Sequence, residues 1–294
     1  MRIAVVGSTG QLGTDLMRVM QGHHEAIGLT HEDIEVTEYE SCLVLKKYDP
    51  DVIINTAAFH KTDQCEEEPL RAFLVNAIGA RNLASISREL DATIVYISTD
   101  YVFDGLKNAP YTEEDVPNPV NTYGISKLAG EFYTKQNPKH YIIRVASLFG
   151  VAGARGKGGN FVETMITKAL NREIISVVDD MWMSPTCTKD AALIIRRILE
   201  EGLPYGVYHA TNKGYCTWFQ FAQEIFRLMG LAPEIRPIKT DQLQAKARRP
   251  KFSALESVKL PKYGIEVRNW RESLREYLLE KGHLVLNKKP DFGT

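Results

Sequence analysis

Tyr123 and Lys127 stand four residues apart, an interval that puts a phenol and an ammonium on one face of a helix. A phenol ionises near pH 10 and a neighbouring cation favours its ionised form, so the pair is suited to proton exchange with a substrate oxygen near neutral pH. Upstream, residues 92–97 form an apolar, β-branched run that stops at Ser98, Thr99 and Asp100. Hydroxyls and a carboxylate at the carboxyl end of a buried parallel strand lie where open α/β sheets bind ligands. Far downstream, Arg248 and Arg249 precede Pro250 in an irregular segment, an arrangement that suits a diphosphate.

These groups need a scaffold, and the first thirteen residues announce it. The apolar run 3–6 passes without a spacer into Gly7-Ser8-Thr9-Gly10-Gln11-Leu12-Gly13 and then into a helical pattern. Strand, glycine turn and helix in that order make a dinucleotide cradle, in which backbone N–H groups approach a pyrophosphate. Residues 26–29 read as the second strand, ending in Thr30 and His31 where an NAD-specific site carries Asp or Glu. Without that carboxylate a 2′-phosphate is not repelled, so NADPH is expected, with NADH possible. Residues 51–55 give a third buried strand, followed by the small residues Thr56, Ala57 and Ala58 and then Phe59 and His60. The next helix, about 69–90, carries the out-of-place polar residue Asn76, read as tying that helix to the strand end below the cofactor.

The fold expected is therefore α/β: a Rossmann-type doubly wound parallel sheet with a smaller C-terminal substrate-binding lobe. The cofactor domain is placed at 1–150, with segments near 178–211 returning to it, and the lobe in 151–294. Among 294 residues, 44% are hydrophobic, ample for a sizeable core, and the net charge of −1 gives no global field for nucleic acid or an anionic membrane. Four scattered cysteines form no CxxC pair, which disfavours a zinc site or a disulfide framework. No apolar run is long enough to span a bilayer, and Met1-Arg2 runs straight into the first strand. A cytoplasmic protein, monomeric or homodimeric, is expected.

The chain resembles the extended short-chain dehydrogenase/reductases and, more narrowly, the dTDP-4-dehydrorhamnose reductase family. The resemblance rests on Thr9-Gly10-Gln11-Leu12-Gly13, Ala57-Ala58, Asp63 with Glu66 and Pro69, Asn76-Ala77, Ser98-Thr99-Asp100-Tyr101-Val102-Phe103, and Asn121-x-Tyr123-Gly124-x-Ser126-Lys127. It continues through Asn160-Phe161, Pro185-Thr186, Tyr208-His209, Trp218 and Arg249-Pro250-x-x-Ser253. It implies reduction of the 4-keto group of a nucleotide-linked 6-deoxyhexulose, with Thr99, Tyr123 and Lys127 as the catalytic residues. Tyr123 is then the proton donor, Lys127 assists it and bonds the nicotinamide ribose, and Thr99 orients the carbonyl. Cofactor contacts are expected at Gly7, Thr9, Gly10, Gln11, Leu12, Gly13, Thr30, Glu35, Val36, Ala57, Ala58, Phe59, His60, Asn76, Tyr123 and Lys127. Substrate contacts are expected at Thr99, Asp100, Val102, Phe103, Ser147, Trp182 and Arg249.

The chain departs from the family pattern in three places. Ser147 stands where a pocket Trp is usual, and Met181-Trp182-Met183-Ser184 replaces a Gln-x-Gly pattern, so Trp182 is read as a substitute stacking surface. Lys189 stands where a carboxylate would complete a magnesium site with Asp15, and no metal is expected. The loop 151–159 is long and carries Arg155 and Lys157, read as a lid over a sugar diphosphate. An alternative reading is a cofactor-binding regulatory protein like that of methionine adenosyltransferase, against which the intact Tyr123–Lys127 pair argues. An epimerase or dehydratase is a further alternative, disfavoured because Tyr101 stands where dehydratases carry an acid.

Overall fold

The computed structural model describes residues 1–153 and 159–284. Strands β1 (Arg2–Val6), β2 (Glu25–Leu29), β3 (Val52–Asn55), β4 (Thr93–Thr99) and β5 (His140–Val145) form one parallel sheet, joined on the far side of β5 by Gly206–His209. The order across the sheet is Gly206–His209, β5, β4, β3, β1, β2. The chain leaves β1 for β2 on one side and comes back to β3 on the other, so the switch point falls between β1 and β3. The glycine turn and the loop after Asn55 both open there.

Both faces of the sheet are covered, which is why β1 and β3 read as unbroken apolar runs. Leu16 and Met20 of the helix Gln11–Met20 pack with Ile195 and Ile198 of Thr188–Glu200 on one face. Leu45, Leu83 and Ile86 cover the other. A separate core, built on Phe149, Val162, Phe221, Trp270 and Leu274, belongs to the C-terminal lobe. Among the described residues no helix is long and apolar enough to cross a membrane.

Two close approaches fix the catalytic edge. At Gly13 a Cβ would lie 2.2 Å from the Gly7 carbonyl oxygen, so the first helix can seat on the glycine turn only without a side chain there. At Gly124 a Cβ would lie 2.1 Å from the Tyr101 carbonyl oxygen, which lets the helix Thr122–Thr134 press against the end of β4. Asn121 caps that helix through a bond from the Gly124 N–H (2.8 Å), and Glu66 accepts from the Thr122 N–H and hydroxyl (2.8 and 2.7 Å).

Below the catalytic groups the same helix is bolted to the sheet by buried charge. Arg144 of β5 makes a two-pronged pair with Glu131 (2.9 and 2.8 Å), and Ser98 donates to the same carboxylate at 2.6 Å. Both charged side chains are essentially inaccessible, 2% and 0% exposed. Such a pair is stabilising chiefly in the sense that losing one partner strands the other.

Candidate active site

A cavity of about 950 Å³ runs along the carboxyl edge of the sheet, from the glycine turn to the lobe. That volume suits a dinucleotide and part of a second ligand. Gly7, Thr9, Gly10, Gln11, Leu12 and Gly13 line one end, with Thr30, Glu35, Val36, Ala57, Ala58 and His60 beside them. Thr99, Asp100, Tyr123, Lys127 and Ser147 line the other.

At the turn end the first helix begins at Gly10, which has no side chain to cap it. The N–H groups of its first turn therefore face the cavity end without a side-chain acceptor, the usual seat for a phosphate. The buried Oε1 of Gln11 also lacks a hydrogen-bond partner, a second sign that this end is shaped for a polar ligand. The residues thus fit a dinucleotide. The strand-end expectation changes in one respect: Asp33 folds back so that Oδ2 accepts from both the N–H and the hydroxyl of Thr30, each at 2.8 Å. A carboxylate is present at the end of β2 after all, three residues later than sought, although its bonding oxygen is spent on Thr30. Arg71 supplies positive charge along the same wall, which His31 also lines.

At the catalytic end Thr99 closes β4 and Tyr123 opens the helix Thr122–Thr134, and both line the cavity. Burial pushes the Tyr123 phenol well above its usual range, with the neighbouring Thr99 hydroxyl opposing and the Asp100 charge adding to the rise. Lys127 is 2% exposed, and burial pulls its ammonium down to about 7 against the opposing attraction of Glu131. Its Nζ donates to the Ile97 carbonyl (2.6 Å) and sits 4.1 Å from the centre of the Tyr96 ring. The expectation that Lys127 lowers the phenol is thus not met in the free protein, because desolvation acts on both groups. Tyr123 is held as a neutral phenol, which is the form that can donate a proton.

Several expected contacts are corrected. Val102 and Phe103 are wholly buried with Tyr111, Ala146 and Leu255, and Phe103 stacks on Tyr111 at 4.2 Å, so neither faces the cavity. They are core residues that hold up the Asp100 turn. Phe59 and Asn76 also lie outside the lining: Asn76 bonds both the N–H and the carbonyl of Phe59 (2.9 and 3.0 Å) and reaches Ser126 at 3.0 Å. It therefore acts on the cavity wall through the backbone rather than on a ligand. Trp182 packs with Phe252 and Tyr215 away from the cavity, and the aromatic wall is supplied by Phe161 and Trp218, whose rings are 4.7 Å apart. Arg249 pairs with Asp63 (2.9 Å) behind Tyr101 instead of lining the cavity. Arg155 and Lys157 lie outside the described residues.

Thr56, Tyr101, Asn160, Phe161 and Trp218 line the cavity and were not singled out as site residues from the sequence. Trp218 and Phe161 had a signal, since both occur in the motifs that carried the resemblance. Lys189 lies 2.6 Å from a Glu276 oxygen and 4.0 Å from Glu280, so an ammonium stands among these carboxylates.

Comparison with known proteins agrees with this geometry. The family model described as the RmlD substrate binding domain matches residues 1–282. The spore coat polysaccharide biosynthesis protein SpsK of Bacillus subtilis is 39% identical over 283 residues, covering 95% of this chain and 98% of that protein. A dTDP-4-keto-6-deoxy-D-glucose reductase of Streptomyces niveus is 35% identical over 281 residues, covering 94% of this chain and 96% of its own length. The crystal structure of dTDP-4-dehydrorhamnose reductase from Bacillus anthracis in complex with NADP superposes with a TM-score of 0.90 at 37% identity, covering 95% of this chain and 99% of that one.

Proposed function

Because this chain belongs to the dTDP-4-dehydrorhamnose reductase family and is an NAD(P)-dependent oxidoreductase, we propose that it reduces the 4-keto group of a dTDP-linked 6-deoxyhexulose with NADPH as donor. The observation that carries the reading is that Thr99, Tyr123 and Lys127 line the same end of the cavity, away from the glycine turn. When bound, the reduced nicotinamide supplies a hydride to the carbonyl carbon. Tyr123 donates its phenolic proton to the oxygen, which as an alkoxide is a stronger base than a phenolate, so even a raised phenol transfers its proton downhill. Thr99 orients the carbonyl. Gln11 and Leu12 at the open helix end would hold the diphosphate, Glu35 and Val36 the adenine end, and Lys127 the nicotinamide ribose. The preference for NADPH is supported by His31 and Arg71 on the adenine-side wall and by the engagement of Asp33 with Thr30.

The C-terminal lobe, roughly 151–294 less the segments that return to the sheet, contributes the substrate wall through Phe161 and Trp218. The four cysteines are all free and buried, which supports a reducing, cytoplasmic setting. A monomer or a homodimer is proposed as the working form. The test is to follow loss of reduced nicotinamide absorbance with NADPH and a panel of nucleotide-linked 4-keto sugars. Turnover of dTDP-4-dehydrorhamnose is expected. Tight NADPH binding with no turnover of any of them would instead select the regulatory reading.

A further inference from the structure

Asp100 was expected among the substrate contacts, yet each of its oxygens already accepts a hydrogen bond from a protein hydroxyl. Thr99 donates to Oδ1 at 3.0 Å, and Ser253, from 153 positions further along the chain, donates to Oδ2 at 2.5 Å. The residue is only 3% exposed. Thr99 also accepts from the Tyr101 N–H at 3.1 Å, so its single proton has one place to go while Asp100 is a carboxylate. That leaves no proton on Thr99 for a substrate carbonyl, and it sets a buried negative charge beside the oxygen on which negative charge develops. Resting on the reductase reading above, we infer that Asp100 is a positioning residue that works through Thr99: neutral, it frees the Thr99 proton for the carbonyl and favours reduction; ionised, it takes that proton back.

Burial raises the Asp100 carboxyl to about 6, and its bonds from Ser253 and Thr99 oppose that rise, so the two forms exchange within the working range. The titratable and charged groups around it are Tyr101 on its own turn, Tyr123 and Lys127 on the catalytic helix, Cys65 beyond Tyr123, and Arg249 with Asp63 behind Tyr101. Lys127 titrates in a similar range, so the profile of the unmodified enzyme contains both groups. Substitution at Asp100 removes only one of them.

The experiment is the pH dependence of kcat for reduction in the unmodified enzyme, Asp100→Asn and Ser253→Ala, with the aspartate carboxyl titration followed separately by carbon-13 NMR of selectively labelled protein. In the unmodified enzyme a component of kcat falls as pH rises through the Asp100 titration, at most about tenfold per unit for one essential proton. Asp100→Asn removes that component. Ser253→Ala moves it to higher pH by roughly one unit, because a hydrogen bond to the charged form is lost, with KM changing far less than kcat. An unchanged profile in Asp100→Asn overturns the inference. Should that variant fail to fold, an unmoved profile in Ser253→Ala overturns it equally. An inactive unmodified enzyme would defeat the reductase reading, and the NMR titration still decides the linkage: a carboxyl that titrates identically with and without the Ser253 hydroxyl sinks it.

Discussion

The two ends of the cavity are built in opposite ways. At the turn end the groups that would face a diphosphate lie within a few residues of one another, and the close packing of Gly13 on Gly7 connects positions only six apart. At the substrate end the contacts span the chain: Asp63 with Arg249, Asp100 with Ser253, and Phe161 with Trp218. The turn end is assembled by local backbone geometry and leaves polar atoms such as Gln11 Oε1 open. The catalytic end is closed by side chains, with the Glu131–Arg144–Ser98 network beneath it, and holds its groups in place without a ligand. A cofactor shared across a superfamily needs only the first kind of site, whereas substrate choice needs the second.

That contrast can be broken at its strongest point first. Tyr123→Phe should lower kcat by roughly 10²- to 10⁴-fold while NADPH affinity measured by fluorescence titration stays within a few-fold, since the ring remains and only the proton donor is lost. Near-normal turnover would remove Tyr123 from its assigned role. Glu131→Gln should cost about 3 kcal/mol or more in denaturant unfolding, because Arg144 is left as an unpaired buried charge. A loss below about 1 kcal/mol would mean that the catalytic end is not fastened as described.

Lys127 tests the cost of that preorganisation. Its folded pKa of about 7 lies below the unfolded value near 10.4, so between those values the unfolded chain holds a proton that the folded chain lacks. Stability of the free protein should therefore rise with pH across that window, by about 2 kcal/mol between pH 7 and 9 at most, and fall back as pH drops through 7. Lys127→Met should flatten the rise while impairing turnover, and the same slope in both proteins would refute it. The smallest effect is expected at the rim: Arg249→Ala, which breaks a half-exposed pair, should raise the substrate KM only a few-fold and leave NADPH affinity unchanged. A larger effect on cofactor than on substrate would blur the division between the two ends.

How much was legible in the sequence follows the same division. The sheet, the glycine turn and the Thr99, Tyr123, Lys127 set were readable because period, strand ends and a four-residue interval are local signals. Val102 and Phe103 misled because they share a motif with Thr99 and Asp100, and neighbouring in sequence does not mean facing the same way: the turn at 100–102 sends them into the core. Trp182 was chosen by residue type to fill the place of a missing Trp, whereas Trp218 occupies the wall because the lobe brings its helix beside Phe161. Asp33 escaped attention because a side chain reaching back three residues does not show in strand patterning. The depressed Lys127 depends on burial, which no spacing reports.

The helix that follows Pro69 widens into a π turn over Leu74–Ile78 before resuming at Gly79–Glu89. Such a turn is equivalent to one inserted residue, and here it separates two duties. Arg71 before it and Leu74 at its first position line the cavity, while Gly79 and Asn82 after it pack under Val36, where Asn82 donates to the carbonyl at 2.9 Å. Removing one residue within this turn would restore an even winding and rotate one half by about 100° against the other, since each helical residue advances by that angle. The chain can keep the length of this segment or the orientation of both faces under a deletion, but not both, so its tolerance for single-residue loss ends here even though Leu74 itself is exposed.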